Sequence, residues 1–365
     1  MKNKFFNIVL LATLMLFITN FCFPVEPKLV KVIYIDDGAL LISGSFALIE
    51  DGKFIFTDIK DEKCQLKIID DKGKIIKSWG KMGPGPDEFG GLAVIDYQNP
   101  FLAIMDAGKR SIHIFKKGSD FTFQKSGDIL AWEATGFIKL YEESIIMGGY
   151  IVSPKGKAYI IFSRDIKGNN TRYILPLEYT YGDNSLSKYR ETRDKVSGVS
   201  YSGYMDVYKD LLFYVSDVRL KIIKMDLKTE RIETIGKEPR NFIPLEMDRK
   251  TQQELLNTRT GKNVMEDILS KYSFVSGIFV DNNLVGVLYV NREKMSGNKM
   301  YFVPYLYLCD WKGQAVYEGK LEEFYTEEKE IPLFYEKSAG NLYLLSLVSD
   351  DSGLKYAIYQ YHLNK

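Results

Sequence analysis

The sequence predicts an all-β fold, a closed ring of six four-stranded antiparallel sheets, and three observations predict it. Short β-rich runs separated by Gly, Asp and Asn turns extend from about residue 30 to residue 363, which is the pattern of a meander. Five hairpins of like make-up recur along the chain, each preceded by another pair of strands with its own short turn. A sixth unit ends one strand short, and a spare strand stands at the N-terminus. Composition agrees: 25 Tyr and 22 Phe against 11 Pro favour strands over disorder.

Met1 to Lys4 is basic, and Ile8 to Ile18 is apolar apart from Thr13. That run is too short to span a bilayer and suits the central region of an export signal. Residues 1–23 are therefore expected to be a signal peptide and 24–365 a single domain, placed in the periplasm or at the cell surface. Cys22 is preceded by Phe21, where a lipoprotein signal carries a small residue, so a lipid anchor is the lesser alternative. Cys64 and Cys309 fall in different units and are expected to be unpaired thiols.

The units follow in order. The first strand pairs are ALIEDGKFIF (47–56), AVIDYQNPFLAIM (93–105), FIKLYEESIIM (137–147), MDVYKDLLFYV (205–215) and GIFVDNNLVGVLYV (277–290). The hairpins that complete them are IIDDKGKII (68–76), IFKKGSDFTF (114–123), FSRDIKGNNTRYIL (162–175), KMDLKTERIETI (224–235) and LCDWKGQAVYEG (308–319). The sixth unit, IPLFYEKSAGNLYLLSLV with KYAIYQYHL, lacks its fourth strand, which LVKVIYID (29–36) supplies. A strand taken from the other end of the chain closes the ring and removes the exposed sheet edge, the arrangement of a six-bladed β-propeller. One insertion interrupts the pattern near 244–272, where Leu255, Leu256, Val264, Ile268 and Leu269 recur at near-helical spacing and predict a helical decoration.

After the first unit stands Trp79-Gly80-Lys81-Met82-Gly83-Pro84-Gly85-Pro86-Asp87-Glu88-Phe89, in which glycines and prolines turn the chain from an outer strand back toward the ring centre and Phe89 is placed to plug the seam. A degraded copy, Gly236-Lys237-Glu238-Pro239-Arg240-Asn241-Phe242, follows the fourth unit. The stretch resembles the G-x-G-P-G-E-F signature of NHL-type propellers, especially the secreted six-bladed proteins of bacteria, with Asp87 in place of the last glycine. A second mark of that family is an Asp closing the second strand, then a basic residue and alternating apolar ones. Asp106 with Arg110, Asp217 with Arg219, and Asp58 with Lys63 fit it. The resemblance implies the fold; propellers host unrelated activities, so it implies no particular chemistry.

In a four-stranded up-and-down blade, the second-to-third and blade-to-blade connections share one face of the disc. The long connections 149–157, 179–200, 236–272 and Arg292 to Lys299 all fall on it, while the opposite face carries short turns. Recognition concentrates on loops held by a rigid scaffold, so the long-loop face is the expected binding surface, with Asp106, Arg110, Asp217, Arg219 and Arg292 as candidate ligand-binding residues. Tyr150, Tyr181, Tyr201 and Tyr204 are aromatic candidates for stacking on a sugar or peptide.

Forty-nine basic against 48 acidic residues give a charge of +1, or −1 without Lys2 and Lys4 of the leader. No field favours phosphate backbones, and no nucleic-acid partner is expected. There is no G-x-S-x-G, H-E-x-x-H, P-loop or C-x-x-C, and the two histidines, His113 and His362, fall in different units. The expectation is a monomeric, non-enzymatic binder or scaffold for a peptide, protein or glycan, with no cofactor, no metal and no membrane contact beyond an N-terminal anchor. The alternative with chemistry is a calcium-dependent lactonase or phosphoester hydrolase, for which Asp58, Asp106 and Asp217 are candidate oxygen ligands.

Overall fold

The computed structural model describes residues 25–36, 42–49, 52–63, 65–85, 88–179, 203–216, 219–244, 272–294, 300–321, 326–327, 332–338, 340–350 and 353–363. Strand β1 (Pro27–Tyr34) precedes blade 1, which holds β2 (Ile42–Ile49), β3 (Lys53–Asp58), β4 (Leu66–Ile69) and β5 (Ile75–Trp79). Blade 2 holds β6 (Leu92–Gln98), β7 (Phe101–Asp106), β8 (Ser111–Lys117) and β9 (Phe123–Leu130). Blade 3 holds β10 (Ala134–Tyr141), β11 (Ser144–Val152), β12 (Ala158–Asp165) and β13 (Thr171–Pro176). Blade 4 holds β14 (Gly203–Tyr208), β15 (Leu211–Ser216), β16 (Ile222–Asp226) and β17 (Ile232–Ile235). Blade 5 holds β18 (Phe274–Asp281), β19 (Leu284–Lys294), β20 (Met300–Asp310) and β21 (Ala315–Lys320), with the short β22 (Thr326–Glu327) added beside β20. Blade 6 holds β23 (Pro332–Ser338), β24 (Asn341–Asp350) and β25 (Gly353–Leu363), and β1 is its outermost strand.

The innermost strands β2, β6, β10, β14, β18 and β23 touch one another in circular order, so the six antiparallel sheets form a ring. Closure is by β1 on β25, from Pro27 opposite Leu363 to Tyr34 opposite Ala357, and continues with the Ile35 amide donating to the Tyr356 carbonyl at 2.9 Å. The expected tail-to-tail pairing is thus present.

Burial explains why the sequence reads as it does. A blade is covered by a neighbour on each face, so the middle of its second strand is apolar: Phe54, Ile55 and Phe56 of β3, Leu102 to Met105 of β7 and Leu212 to Val215 of β15 are all buried. The fourth strands lie at the rim, where β5 and β9 are largely half-buried or exposed. The core is divided into six clusters, each filling one seam; Phe89, for example, packs with residues of blades 1 and 2. Four of the five like hairpins share one cause. Asp70, Asp165, Asp226 and Asp310 each open a third-to-fourth turn and accept two backbone N–H groups of it, as Asp70 does from Lys72 and Lys74 at 2.9 Å. Gly73 in the first of these turns has φ +88°, and a Cβ there would lie 1.9 Å from the Tyr34 carbonyl oxygen. Only glycine lets blade 1 rest on the strand that closes the ring.

Two connections expected as long loops are largely strand. Strand β11 runs on to Val152 and reaches β12 through the turn 153–157, and β19 pairs with β20 as far as Lys294 opposite Met300. Within the β19–β20 extension Phe302 and Val303 are buried, which holds it in place. Cys309 is a buried free thiol whose pKa burial pushes up to about 12. The leader, Cys64 and the helical segment within 245–271 lie outside the described residues.

Candidate functional site

The blade 1-to-2 connection folds back on itself before entering β6. The Gly83 amide donates to the Phe89 carbonyl and the Phe89 amide to the Lys81 carbonyl, both at 2.9 Å, while the Glu88 carboxylate takes the Gly85 N–H at 2.9 Å and pairs with Lys81 at 2.7 Å. The loop docks on the second-to-third corner of blade 2 where glycine meets glycine: a Cβ on Gly108 would lie 2.5 Å from the Gly90 carbonyl carbon. Lys109 Nζ staples it by donating to the carbonyl oxygens of Gly85 and Glu88 at 2.5 Å each. Phe89 drops into the seam and meets the His113 ring edge-on at 5.2 Å. Phe242, in the second copy of the motif, meets Tyr289 in the same manner at 5.3 Å.

Beneath this loop, His113 of β8 is held between two carboxylates. Its Nε2 lies 3.2 Å from Asp106 Oδ2 and its Nδ1 2.5 Å from Asp128 Oδ1. Burial by itself would push the Asp106 carboxyl up, but His113 and the amides of Gly90 and Lys109 hydrogen-bond to it and hold it below the ordinary carboxylate range. Asp128 is held low against its partial burial by His113 and Lys125. Blade 1 uses the same register with a lysine in place of the histidine: Lys67 of β4 lies 2.7 Å from Asp58 and 3.0 Å from Asp61. The residues that meet these strand-closing aspartates are therefore His113 and Lys67, not the Arg110 and Lys63 that follow them more closely in sequence.

Loop and corner bound an open cleft of about 740 Å³ with Met82, Pro84, Lys109, His113, Asp128 and Leu130 in its walls. Its rim continues into an uncovered apolar surface. Leu130 is 64% and Trp132 61% exposed, with Tyr150 and Val152 beside them on blade 3. They are adjacent because the Tyr150 amide donates to the Glu133 carbonyl at 3.2 Å. Arg110, at φ +52° in the second-to-third turn of blade 2, lays its guanidinium 4.8 Å from the centre of the Trp132 ring. The cleft and its rim all belong to the long-loop face.

Of the sequence candidates, Asp106 and Arg110 share one turn, but only Arg110 reaches the surface; Asp106 is buried, its carboxylate bound internally. Arg219 sits on blade 4, 3.4 Å from Glu238, and Arg292 lies in β19 of blade 5 over the Phe302 ring at 4.8 Å. Asp217, Tyr181 and Tyr201 lie outside the described residues. Sequence reasoning missed His113, Leu130 and Trp132. A signal was present: in Ile129-Leu130-Ala131-Trp132 the first and third residues are buried, which leaves two large apolar side chains on the outward face.

Toward the ring centre, Lys139 of β10 joins two blades, its Nζ lying 3.1 Å from Asp96 of β6 and 3.3 Å from Asp206 of β14. Each carboxylate also takes a backbone N–H from the next blade, Leu140 to Asp96 at 2.7 Å and Val280 to Asp206 at 2.8 Å. Among the described residues no cluster of three or more His, Cys, Asp and Glu side chains is placed to hold a metal ion.

No family model and no curated protein matches the chain. Solved structures do. A Bacteroides fragilis protein named for its inferred export is 13% identical, with 93% of this chain and 96% of that one covered and a TM-score of 0.54. The Cps50 (Swd1) β-propeller domain of Myceliophteria thermophila is 10% identical over 93% of this chain and 100% of that one, with a TM-score of 0.43. A PQQ-bound aldose sugar dehydrogenase of Streptomyces coelicolor is 11% identical over 93% and 98%, with a TM-score of 0.46. At such identities the likeness is one of fold. The chain is an all-β six-bladed propeller.

Proposed function

We propose that this protein is an exported NHL-type propeller that binds a peptide, protein or glycan with its long-loop face, at the surface formed by Leu130, Trp132 and Arg110 beside the blade 1–2 cleft. The observation that carries this reading is the exposed Trp132 plane with Arg110 fixed against it. An indole left uncovered in a monomer is a contact surface waiting for a partner, and a guanidinium supplies the directional hydrogen bonds that select one. Export is supported by the signal-like residues 1–23 and by the name of the Bacteroides fragilis protein of like fold.

A non-catalytic role is supported by how the titratable groups are committed. Both ring nitrogens of His113 face carboxylates, Asp58 is matched by Lys67, and Asp96 and Asp206 share Lys139. A calcium ion would have to displace these internal partners, which speaks for binding over calcium-dependent hydrolysis.

The test is a labelled sample of the protein on immobilised glycan and peptide arrays, with Trp132→Ala and Arg110→Ala for the long-loop face and Asn282→Ala for the opposite face. Ligands retained by Asn282→Ala and lost by the other two support the reading. Ligands lost only by Asn282→Ala overturn it.

A further inference from the structure

The charges around Trp132 are unequal in a way that specifies the ligand. Among the described residues, the carboxylates at the cleft each face a basic side chain: Glu88 faces Lys81, Asp106 faces His113, Asp128 faces Lys125 and His113, and Glu133 faces Arg164. Arg110 is exposed and has no carboxylate partner among the described residues, and the same holds for Lys155 in the turn after Val152. The charge left over is positive. Arg110 covers one face of the Trp132 ring, yet the residue keeps 61% of its surface, so the other face is open.

The backbone here offers little to an extended peptide. The Ala131 amide donates to the Arg110 carbonyl, Tyr150 to Glu133, Ser153 to Lys157 and Gly156 to Ser153. Strand addition needs a row of unpaired backbone groups, and these four amides are taken. A flat aromatic face beside a guanidinium fits a pyranose ring instead, its C–H face on the indole and an acidic substituent in the planar fork of the arginine.

We infer that the ligand of this surface is an acidic glycan, with a sugar ring stacked on Trp132 and its carboxylate or sulfate group bound by Arg110. The inference rests on the long-loop face being the binding surface and adds the ligand class. Oligogalacturonate, oligoglucuronate and chondroitin sulfate oligosaccharides would be titrated into the protein by calorimetry, against a neutral oligosaccharide and hexaglutamate as controls.

At least one acidic saccharide is expected to bind about tenfold or more tightly than the neutral one. Added salt is expected to weaken that binding, Trp132→Ala to abolish it, and Arg110→Lys to weaken it about tenfold, because an ammonium loses the bidentate geometry. Both side chains are exposed, and unchanged melting curves would show that the variants fold. Equal binding of neutral and acidic saccharides, or no binding by any of the three acidic probes, overturns the inference. Trp132-dependent binding of hexaglutamate in place of the saccharides overturns the ligand class and leaves the surface standing. If saccharides bind and Trp132→Ala and Arg110→Lys change nothing, the surface falls as well.

Discussion

The ammonium of Lys67 lies 2.7 Å from the Asp58 carboxylate, and both side chains are almost wholly buried under the corner of blade 1. A pair taken this far out of water is sensitive to the loss of one member, because the other is then a buried charge that has lost its counter-charge. Lys67→Met is expected to lower stability by about 3–5 kcal/mol. Adding Asp58→Asn should recover part of that loss. Urea titrations of both variants check this, and a double variant no better than the single one would show that the pair is not what the corner depends on.

The blade 2 corner makes a prediction about pH. Asp106 and Asp128 have folded-state pKa values below their ordinary ones, through the hydrogen bonds of His113 among other causes. A lowered carboxylate pKa contributes stability that is present above the unfolded-state value of about 3.9 and is lost as pH falls through the folded-state value. His113→Gln removes the imidazole that faces both groups. The variant should be less stable than wild type above the carboxylate range, and the gap should close as pH falls below about 4. Thermal melts between pH 3 and 7 measure it, and a gap that widens on acidification would contradict the assignment.

These corners show how far the sequence could be read. The blades are legible in part because four of the hairpins are punctuated by an Asp that caps its own turn within about four residues, as Asp70 and Asp310 do, and such signals are local. Ring closure was legible too, since a missing fourth strand at one end matched a spare strand at the other. The partners of the strand-closing aspartates were not. Lys67 stands nine residues from Asp58 and His113 seven from Asp106, so that fixed spacing fails while sheet register succeeds. The contact of Arg110 with Trp132 joins an inner turn of blade 2 to the connection that leaves it, and Lys139 links aspartates of the two flanking blades. Only the assembled ring brings such groups together.

Lys139 also bears on calcium. It occupies the place between Asp96 and Asp206 where a divalent ion would otherwise be attracted, so calcium at about 1 mM is expected to leave the wild-type melting temperature unchanged, since a ligand of the native state must raise it. Lys139→Ala should destabilise the protein by leaving the two carboxylates, both largely buried, to repel one another. Differential scanning fluorimetry with and without calcium reads both effects. A rise for the wild type would restore the calcium-dependent hydrolase as the better reading.

Ring closure can be tested on a single strand with an internal control. In β1, Ile33 is 4% exposed, pairs with Ile358 and packs in the seam cluster with Phe54 and Tyr356, whereas Val30 is 52% exposed. Aspartate at position 33 would bury an unpaired carboxylate, and the chain can avoid that cost only by releasing β1. Release leaves β25 as an open edge, and an unpaired edge recruits other chains. Ile33→Asp is therefore expected to lower the melting temperature sharply, speed amide exchange in β25 and raise the aggregated fraction on size exclusion, while Val30→Asp stays close to wild type. If β1 were ornamental, the two substitutions would behave alike, because they place the same charge only three residues apart.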